Sequence, residues 1–309
     1  MLKARNLEIL CAVIEMGTTA RAADALGVSQ PAVSNMIRHT EDLIGFPLFL
    51  RERGRLTPTR EALHLADEAR HLFRQQRRIA GMVEELKGGV AGRLSIIATP
   101  SLGHGIVPKA LSAFLKGRSK VRISFEVGTV DEIAARLIAG EADLGLSITR
   151  PRQSALSTQP LADGRLVCVL PEGHELALSE RVRITDLNHV PHISYAVDTP
   201  LGRAVDGVFS AEGLERRHFC EVRHTSTALD LVKGGLGVAL VDDFALIGGV
   251  PPGVVARPAT PDVPLKIYAL TSTLFPTPNL ALLFQRHFAE FVGAAPRAEG
   301  WGIIRNYRS

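Results

Sequence analysis

The stretch "AADALGVSQPAVSNMIRHTEDLIGFPLF", residues 22–49, decides the fold of the amino-terminal part of the chain. Small side chains at Ala22 and Ala23 allow two helix backbones to approach each other closely. Gly27 is a typical helix terminator, and Ser29 can cap a new helix whose first turn accepts Pro31. Two short helices joined by so tight a turn are typical of a helix-turn-helix, which places its second helix in the DNA major groove.

Apolar spacing extends this pattern on both sides. It predicts a first helix over about Arg5–Met16, a second helix capped by Thr18 or Thr19, and a third helix beginning at Ser29. The third helix is predicted to bury Ala32, Val33, Met36 and Ile37. Its polar side chains are then left facing outward, namely Ser29, Gln30, Ser34, Asn35 and Arg38.

A short basic segment, "LRERGRLTPTR" (50–60), follows the third helix and reads as a β-hairpin wing. It carries Arg51, Arg53, Arg55 and Arg60 against a single acidic residue, Glu52. Such a loop is either a phosphate-binding surface or a solvated turn, and charge alone leaves both open. The net charge of +4 is compatible with a nucleic-acid partner.

A long helix capped by Thr59 is predicted to run to about Lys87. Apolar residues step along it by three and four, which is the seam of a coiled coil. Dimerisation through this seam is the favoured interpretation, and packing of the helix on its own domain is the alternative. The seam positions are Ala62, Leu65, Ala69, Leu72, Gln76, Ile79, Val83 and Leu86.

The glycine-rich segment "KGGVAGR" (87–93) marks a linker, after which strands alternate with helical stretches. This alternation predicts an α/β fold with largely parallel sheets, long enough for two lobes. The predicted strands are "RLSIIA" (93–98), "VRISFEV" (121–127), "EADLGLSI" (141–148), "RLVCVL" (165–170), "HISYA" (192–196), "HFCEVR" (218–223) and "GVALV" (237–241).

Several functional classes are not supported. No apolar run reaches the roughly 20 residues of a membrane helix, and charges interrupt the first residues too early for a signal peptide, so we expect a cytoplasmic protein. The three cysteines are far apart, and motifs for serine hydrolases, zinc proteases and phosphate-binding loops are missing. We therefore expect no metal, no cofactor and no enzyme activity. The alternative is a cytoplasmic solute-binding protein or a two-lobed α/β enzyme acting on a small carboxylate.

The chain resembles a LysR-type transcriptional regulator along essentially its whole length. Residues 22–59 carry the most specific likeness, and "HELA" (174–177), "ITDL" (184–187) and "GGLGVALV" (234–241) support it. The resemblance implies an α+β multidomain protein. Its parts are a winged helix-turn-helix DNA-binding domain (1–58), a dimerising linker helix (59–88) and a two-lobed effector-binding domain resembling periplasmic binding proteins (89–309).

The resemblance also implies how the effector domain is threaded. Lobe one comprises about 93–163 and 266–296, and lobe two about 164–265, with crossings near Ala162–Arg165 and Leu265–Leu270. The implied function is sequence-specific DNA binding modulated by a small molecule held between the lobes. The implied partners are double-stranded operator DNA, an amino-acid-like or organic-acid effector, further copies of the chain in a dimer or tetramer, and RNA polymerase.

The candidate DNA-binding residues lie on the third helix and the wing. Two helix residues depart from the family's usual pattern: Asn35 stands where arginine is common, and Thr40 where leucine is common. Since an Asn amide can pair with adenine, we interpret Asn35 as a change of DNA specificity. The full set is Ser29, Gln30, Pro31, Ser34, Asn35, Arg38, Arg51, Arg53 and Arg55.

The candidate effector residues follow predicted strands or begin predicted helices, where hydroxyls and free N–H groups can hold a carboxylate. Each hydroxyl is alternatively a plain helix cap. The wording of "GFPLF" and "VALVDDF" is closest to the branch that senses opines and basic amino acids, so Asp242 is expected near the cleft mouth, facing a cationic end of the effector. The set is Thr99, Ser101, Leu102, Thr129, Ser147, Thr149, Thr199, Thr225, Ser226 and Asp242.

Overall fold

The computed structural model describes the backbone of residues 1–52, 55–86 and 92–294. Within these ranges, the side chains of residues 51, 52, 55, 77, 78, 81, 82 and 84–86 lie outside the description. The chain divides into two compact units, Met1–Val83 and Glu84–Ser309, and each is described by itself.

The first unit is a helical domain with a small hairpin. The predicted ends of its helices are confirmed: Thr18 and Ser29 accept hydrogen bonds from Arg21 N and Ala32 N, and Gly27 lies in the left-handed region. These caps satisfy backbone groups that a helix end leaves free. The elements are α1 (Ala4–Met16), α2 (Thr19–Leu26), α3 (Gln30–Ile44), β1 (Phe49–Glu52), β2 (Arg55–Pro58) and α4 (Arg60–Leu86).

The hairpin is tied to the end of α3. One carboxylate oxygen of Glu41 accepts hydrogen bonds from Leu48 N (2.7 Å) and Phe49 N (3.2 Å), which fixes where the wing leaves the helix. Strands β1 and β2 pair antiparallel, as the hairpin prediction requires. The tip, residues 53 and 54, lies outside the described residues.

The buried face of α3 differs slightly from the predicted stripe. Val33, Ile37 and Thr40 are buried, Met36 is half-buried, and Ala32 is exposed. Successive residues of a helix are rotated by about 100°, so Ala32 lies away from the row that Val33 begins. The row packs against Ile9 and Val13 of α1 and the small residues of α2.

Helix α4 packs on its own domain along its first half. Near its start, Ala62, Ala66 and Ala69 are buried in a cluster with α1 residues, so this half packs on its own domain. Further along, Leu72 is 51% exposed and Ile79 63% exposed. The described positions in the second half of the seam are exposed, and dimerisation through them stays a prediction.

The second unit is built on one mixed sheet. Among its described residues, the helices are α5 (Pro100–Gly103), α6 (Ile106–Leu115), α7 (Val130–Ile138), α8 (Pro200–Ala211), α9 (Thr225–Lys233) and α10 (Asn279–Ala294), with 3₁₀ segments at Glu175–Leu178, Ile184–His189 and Asp243–Leu246. The strands are β3 (Gly92–Ala98), β4 (Val121–Val127), β5 (Leu144–Ser147), β6 (Leu156–Pro171), β7 (Val182–Arg183), β8 (His192–Tyr195), β9 (Cys220–Val222), β10 (Val238–Asp242), β11 (Val254–Thr260) and β12 (Pro264–Ser272).

The long strand β6 joins two halves of the sheet. Its residues up to Arg165 pair antiparallel with β12, and those from Leu166 onward pair with β10 and β11. The strand order β4-β3-β5-β12-β6-β10-β8-β9 therefore places a parallel set of strands on each side of the crossing pair β6 and β12. We call the half with β3–β5 lobe one and the half with β8–β10 lobe two.

The crossing itself is tightly packed. A Cβ atom at Gly164 would overlap the Phe244 ring and the Asp243 carboxylate, so glycine is needed for this close approach. Asp243 Oδ1 also accepts a hydrogen bond from Arg165 N at 3.1 Å. Strand β6 is thus held at its crossing point by the segment that follows β10.

No helix in the described part of the chain is both long enough and apolar enough to cross a membrane.

Candidate DNA interface and effector cleft

The outward face of α3 carries the predicted base-reading residues. Ser29, Gln30, Pro31, Asn35 and Arg38 are exposed, and Ser34 is half-buried. Exposed amide and guanidinium groups on one face of a helix after a tight turn are the chemistry that reads base edges in the major groove.

Two of these side chains also have structural partners. Ser29 Oγ caps Ala32 N at 3.4 Å, and Gln30 Nε2 donates to Thr19 Oγ1 of α2 at 3.3 Å. The link between Gln30 and Thr19 orients the first turn of α3 against α2 without using the amide oxygen of Gln30. Arg51 and Arg55 lie in the wing strands, but their side chains and the whole of Arg53 fall outside the described residues.

In lobe one, the hydroxyls of Thr99 and Ser101 lie at the carboxyl end of β3. Thr99 is 3% exposed, and neither Thr99 Oγ1 nor Ser101 Oγ has a hydrogen-bond partner within the described structure. Leu102 is fully buried beneath them in the lobe-one core. Buried hydroxyls of this kind usually have a partner, and a bound ligand can supply one.

Ser147 is the last residue of the neighbouring strand β5, and Thr149 follows two positions later. Because β3 and β5 run parallel, their carboxyl ends meet at one edge of the sheet, and Thr99 N donates to Leu146 O at 2.9 Å. Ser147 is fully buried and its Oγ accepts from Thr149 N at 3.1 Å, while Thr149 is half-buried. The ends of the two strands therefore lie side by side, with Thr99 and Ser101 after one and Ser147 and Thr149 at the end of the other.

Thr129 is engaged in capping. Its Oγ1 accepts from Glu132 N at 3.2 Å, and Glu132 Oε2 accepts from Thr129 N at 2.7 Å. This reciprocal capping box accounts for the hydroxyl and for the start of α7. The Thr129 hydroxyl therefore acts as a helix cap, which is the alternative that the sequence left open.

The predicted site residues of lobe two lie at the starts of α8 and α9. Thr199 caps α8 by accepting from Gly202 N at 3.0 Å, and its hydroxyl donates to Ala196 O at 2.7 Å. Thr225 is buried at the start of α9, and Ser226 beside it is exposed.

Asp242 is placed differently from the prediction. It is 0% exposed, and its oxygens accept hydrogen bonds from Thr225 Oγ1 (3.1 Å) and Ala245 N (3.1 Å). Burial, followed by the adjacent Asp243 carboxylate, raises the pKa of Asp242 to about 6. The expected position at the cleft mouth is therefore wrong, because capping of the following 3₁₀ segment and the contact with α9 draw this carboxylate into the core.

The two lobes meet at residues that the sequence did not single out. The rings of His104 and His224 lie edge to face, with centroids 5.6 Å apart, and both residues are exposed. Lys109 Nζ of α6 donates to Ile247 O of lobe two at 2.6 Å. Lys109 and Ile247 are separated by 138 positions in the chain, so no local pattern signals their contact.

The contacts between lobes locate the cleft. Residues 99–109 of lobe one face the start of α9 and the 3₁₀ segment after β10, and a Cβ atom at Gly105 would lie 3.7 Å from Ala245 Cα. The buried hydroxyls of Thr99 and Ser101 in lobe one and the start of α9 in lobe two therefore belong to one interlobe region.

A helix-turn-helix domain with an exposed recognition helix, followed by a two-lobed ligand-binding domain, defines the class of DNA-binding transcriptional regulators that have an effector-binding domain. Residues 4–63 match the model of the bacterial regulatory helix-turn-helix protein, lysR family, and residues 87–292 match that of the LysR substrate binding domain. The chain belongs to the LysR family of bacterial transcriptional regulators.

Curated relatives extend over nearly the full chain. The chain is 29% identical to the regulatory protein NocR of Agrobacterium fabrum over 296 residues, covering 96% of this chain and 99% of the relative. It is also 29% identical to the transcriptional activator protein LysR of Escherichia coli over 283 residues, covering 92% and 91%.

Solved structures show the same fold. Full-length CbnR in complex with its target DNA is 23% identical and has a TM-score of 0.72, covering 94% of this chain and 100% of that one. A full-length OxyR variant from Pseudomonas aeruginosa is 18% identical with a TM-score of 0.70, covering 100% and 99%.

Proposed function

We propose that this regulator binds its operator as a homodimer, or as a pair of dimers, and responds to a small carboxylate held between the lobes. In this proposal, residues 1–58 read DNA, residues 59–88 dimerise, and residues 89–309 bind the effector. The protein acts by binding and carries out no catalysis. Its place is the cytoplasm, where operator DNA and RNA polymerase, a further proposed partner, are present.

One observation carries the effector proposal. Thr99 Oγ1 and Ser101 Oγ are buried side-chain oxygens without a partner in the described structure, at the end of β3 and beside the start of a helix. Leaving a buried hydroxyl without a hydrogen bond costs about 1–3 kcal/mol, and a carboxylate accepts from several donors at once. The hydroxyls of Thr99 and Ser101 and the backbone N–H of Ser101, together with Thr149, form the proposed carboxylate site.

The proposed effector is an amino acid, an opine or another organic acid. Its second end faces lobe two near Ser226 and the start of α8. Asp242 supports this side of the cleft through its hydrogen bonds to Thr225 and Ala245 and does not itself contact the effector. Thr129 and Thr199 are assigned to holding the helix starts that border the cleft.

A thermal-shift screen of amino acids, opines and organic acids tests the effector site, because a ligand that binds only the folded protein raises its Tm. Each hit is compared with its amide, which keeps the shape and removes the charge. We expect hits to stabilise the wild type, to lose their effect as amides, and to lose it in Ser101→Ala.

The matched control is Ser112→Ala, which removes an exposed hydroxyl on α6. This variant is expected to respond as the wild type does. Hits that stabilise Ser101→Ala and Thr99→Val as strongly as the wild type place the carboxylate elsewhere and contradict the proposed site.

For the DNA interface, the proposed base readers are Gln30, Asn35 and Arg38, with Ser29, Pro31 and Ser34 contacting bases or flanking phosphates at the start of α3. The wing arginines, Arg51, Arg53 and Arg55, neutralise phosphates and add affinity without sequence preference. The symmetry of a dimer predicts an interrupted inverted repeat as the operator.

A further inference from the structure

A buried polar pair lies between α1 and α3 in the core of the DNA-binding unit. Asn6 of α1 is 5% exposed and Thr40 of α3 is 3% exposed. Asn6 Nδ2 donates to Thr40 Oγ1 at 2.8 Å, and the two residues are separated by 34 positions in the chain. Around them, α1 and α3 are packed through aliphatic side chains such as Val13 and Val33.

Each polar hydrogen of the pair has an acceptor. The second Asn6 Nδ2 hydrogen points to Met36 Sδ at 3.4 Å, and the Thr40 hydroxyl donates to Met36 O at 2.7 Å. Asn6 Oδ1 accepts from Lys3 N at 3.1 Å, at the start of α1. The network therefore extends from the amino terminus of α1 to the backbone of the recognition helix, with no donor left unused.

Such a network contributes orientation more than stability. Burying two polar side chains costs desolvation that their mutual hydrogen bonds roughly offset, and an apolar pair of similar volume is often equally stable or more so. A hydrogen bond, however, requires a donor–acceptor distance near 2.9 Å and a nearly linear angle. Aliphatic contacts carry no such directional requirement.

The consequence for α3 follows from helix geometry. A shift by one residue moves a helix by about 1.5 Å along its axis and about 100° around it. Contacts of Val33 and Ile37 tolerate a fraction of such a movement, but the bond between Asn6 and Thr40 does not. Asn35 and Arg38 share this rigid helix, so their positions against base edges are set by the same bond.

We propose that Asn6 and Thr40 are positioning residues of the recognition helix, which fix its rotation and therefore determine which bases Asn35 and Arg38 meet. This inference rests on the proposed role of α3 in reading DNA. It assigns to Thr40 a function in sequence discrimination although Thr40 is buried and contacts no DNA.

The test uses full-length protein and a random-sequence DNA duplex library, from which the wild type selects its preferred duplex. Affinity is then measured for that duplex and for a scrambled duplex of the same composition, at one salt concentration. Thr40→Val, which keeps the shape and removes the hydroxyl, is expected to lower the ratio of the two affinities by about tenfold, which is the loss of one well-placed base contact. Affinity for the scrambled duplex should stay within about twofold, since phosphate contacts are unchanged.

Three further variants separate positioning from folding. Thr40→Ser keeps the hydroxyl and is expected to retain the wild-type ratio. The double variant Asn6→Leu/Thr40→Leu is expected to unfold at a urea concentration at least as high as Asn6→Leu or Thr40→Leu alone. It should still lose discrimination between the two duplexes. Cys11→Ala, on the side of α1 that faces α4, weakens the same domain without touching the pair and should keep the ratio.

The outcomes differ for the two proposals. If Thr40→Val and the double variant discriminate as well as the wild type, the positioning role is overturned and α3 still reads DNA. If Cys11→Ala loses discrimination as much as Thr40→Val does, the effect is one of stability and the positioning role is again overturned. If the wild type enriches no sequence from the library, the proposed DNA role fails together with this inference.

Discussion

The hydroxyl of Thr225 donates to Asp242 Oδ2 at 3.1 Å, deep within lobe two. Thr225 begins α9 and Asp242 ends β10, so this bond joins a helix start at the cleft to the strand beneath it. Burial raises the pKa of Tyr195 in the same region, where its ring is 1% exposed. The floor of the cleft in lobe two therefore contains a carboxylate whose charge is poorly compensated.

The first prediction concerns the pH dependence of stability. Burial and the Asp243 carboxylate raise the pKa of Asp242 to about 6, above its ordinary value of 3.8. In the folded state Asp242 therefore keeps its proton to a higher pH than in the unfolded chain. The free energy of unfolding should fall as the pH rises from about 4 to about 6. Asp242→Asn is expected to remove this fall and to stabilise the protein at pH 7 by about 1–3 kcal/mol. Urea denaturation, followed by circular dichroism across this pH range, measures the free energy of unfolding.

The exposed carboxylate of Asp230 on α9 provides the control. Asp230→Asn makes the same chemical change at an exposed position and should not reproduce the effect of Asp242→Asn. A profile of Asp242→Asn that runs parallel to that of the wild type shows that Asp242 is not the titrating group.

The second prediction concerns His192, whose protonation changes stability with pH in the opposite direction. Burial, followed by the charges of Arg216 and His218, lowers the pKa of His192 to about 4 from 6.5. The contribution of neutral His192 to the free energy of unfolding is complete above about pH 6.5 and is lost as the pH falls toward 4. His192→Gln should abolish this loss, so that urea denaturation shows stability rising more steeply on acidification than in the wild type. A pH profile of His192→Gln that matches the wild type contradicts the assignment.

The third prediction concerns the crossing between the lobes. Gly164→Ala places a methyl group against the Phe244 ring and the Asp243 carboxylate. The overlap should lower the free energy of unfolding by about 1–3 kcal/mol and disturb the bond from Arg165 N to Asp243. Gly173→Ala, where no atom lies within 4 Å of the new methyl group, is the matched control and should change the Tm little. Equal Tm values for both variants contradict the packing at the crossing.

The fourth prediction divides the roles of helix and wing. Asn35→Ala should change which bases are tolerated, at about 1–3 kcal/mol for one lost bidentate contact. Arg53→Ala should weaken binding to all sequences alike and reduce the salt dependence of binding. Titrations of selected and random duplexes at several salt concentrations distinguish the two. Equal losses on both duplexes in both variants contradict this division.

The fifth prediction concerns assembly through α4. Ile79 is 63% exposed on the predicted seam, so Ile79→Asp would bring two carboxylates together in a dimer and should dissociate it. His71→Asp adds a carboxylate at an exposed position on the opposite side of the helix from the seam and should leave the dimer intact. Sedimentation velocity measures both, and an unchanged dimer in Ile79→Asp places the interface elsewhere.

Much of the fold was predictable because its signals are local. Helix caps at Ser29 and Thr59 act on N–H groups three residues away, and Gly27 ends α2 through its own backbone conformation. Strand β4 has the predicted bounds, 121–127, since alternation of strands and helices is visible within a few residues. That Thr99 and Thr149 come just after strands was predictable as well, because the strands themselves are visible in the sequence.

The amino-acid sequence by itself determined the ends of the first three helices and the outward face of the recognition helix, whereas β11, β12 and the first nine residues of β6 were not among the predicted strands. Only the tertiary structure decided that Asp242 is buried, that the first half of the α4 seam packs on its own domain, and that Thr40 pairs with Asn6. The physical reason is distance along the chain. A cap or a periodic stripe acts between residues that are three or four positions apart. The environment of a buried carboxylate or hydroxyl is set by residues that only the folded chain brings within about 3 Å.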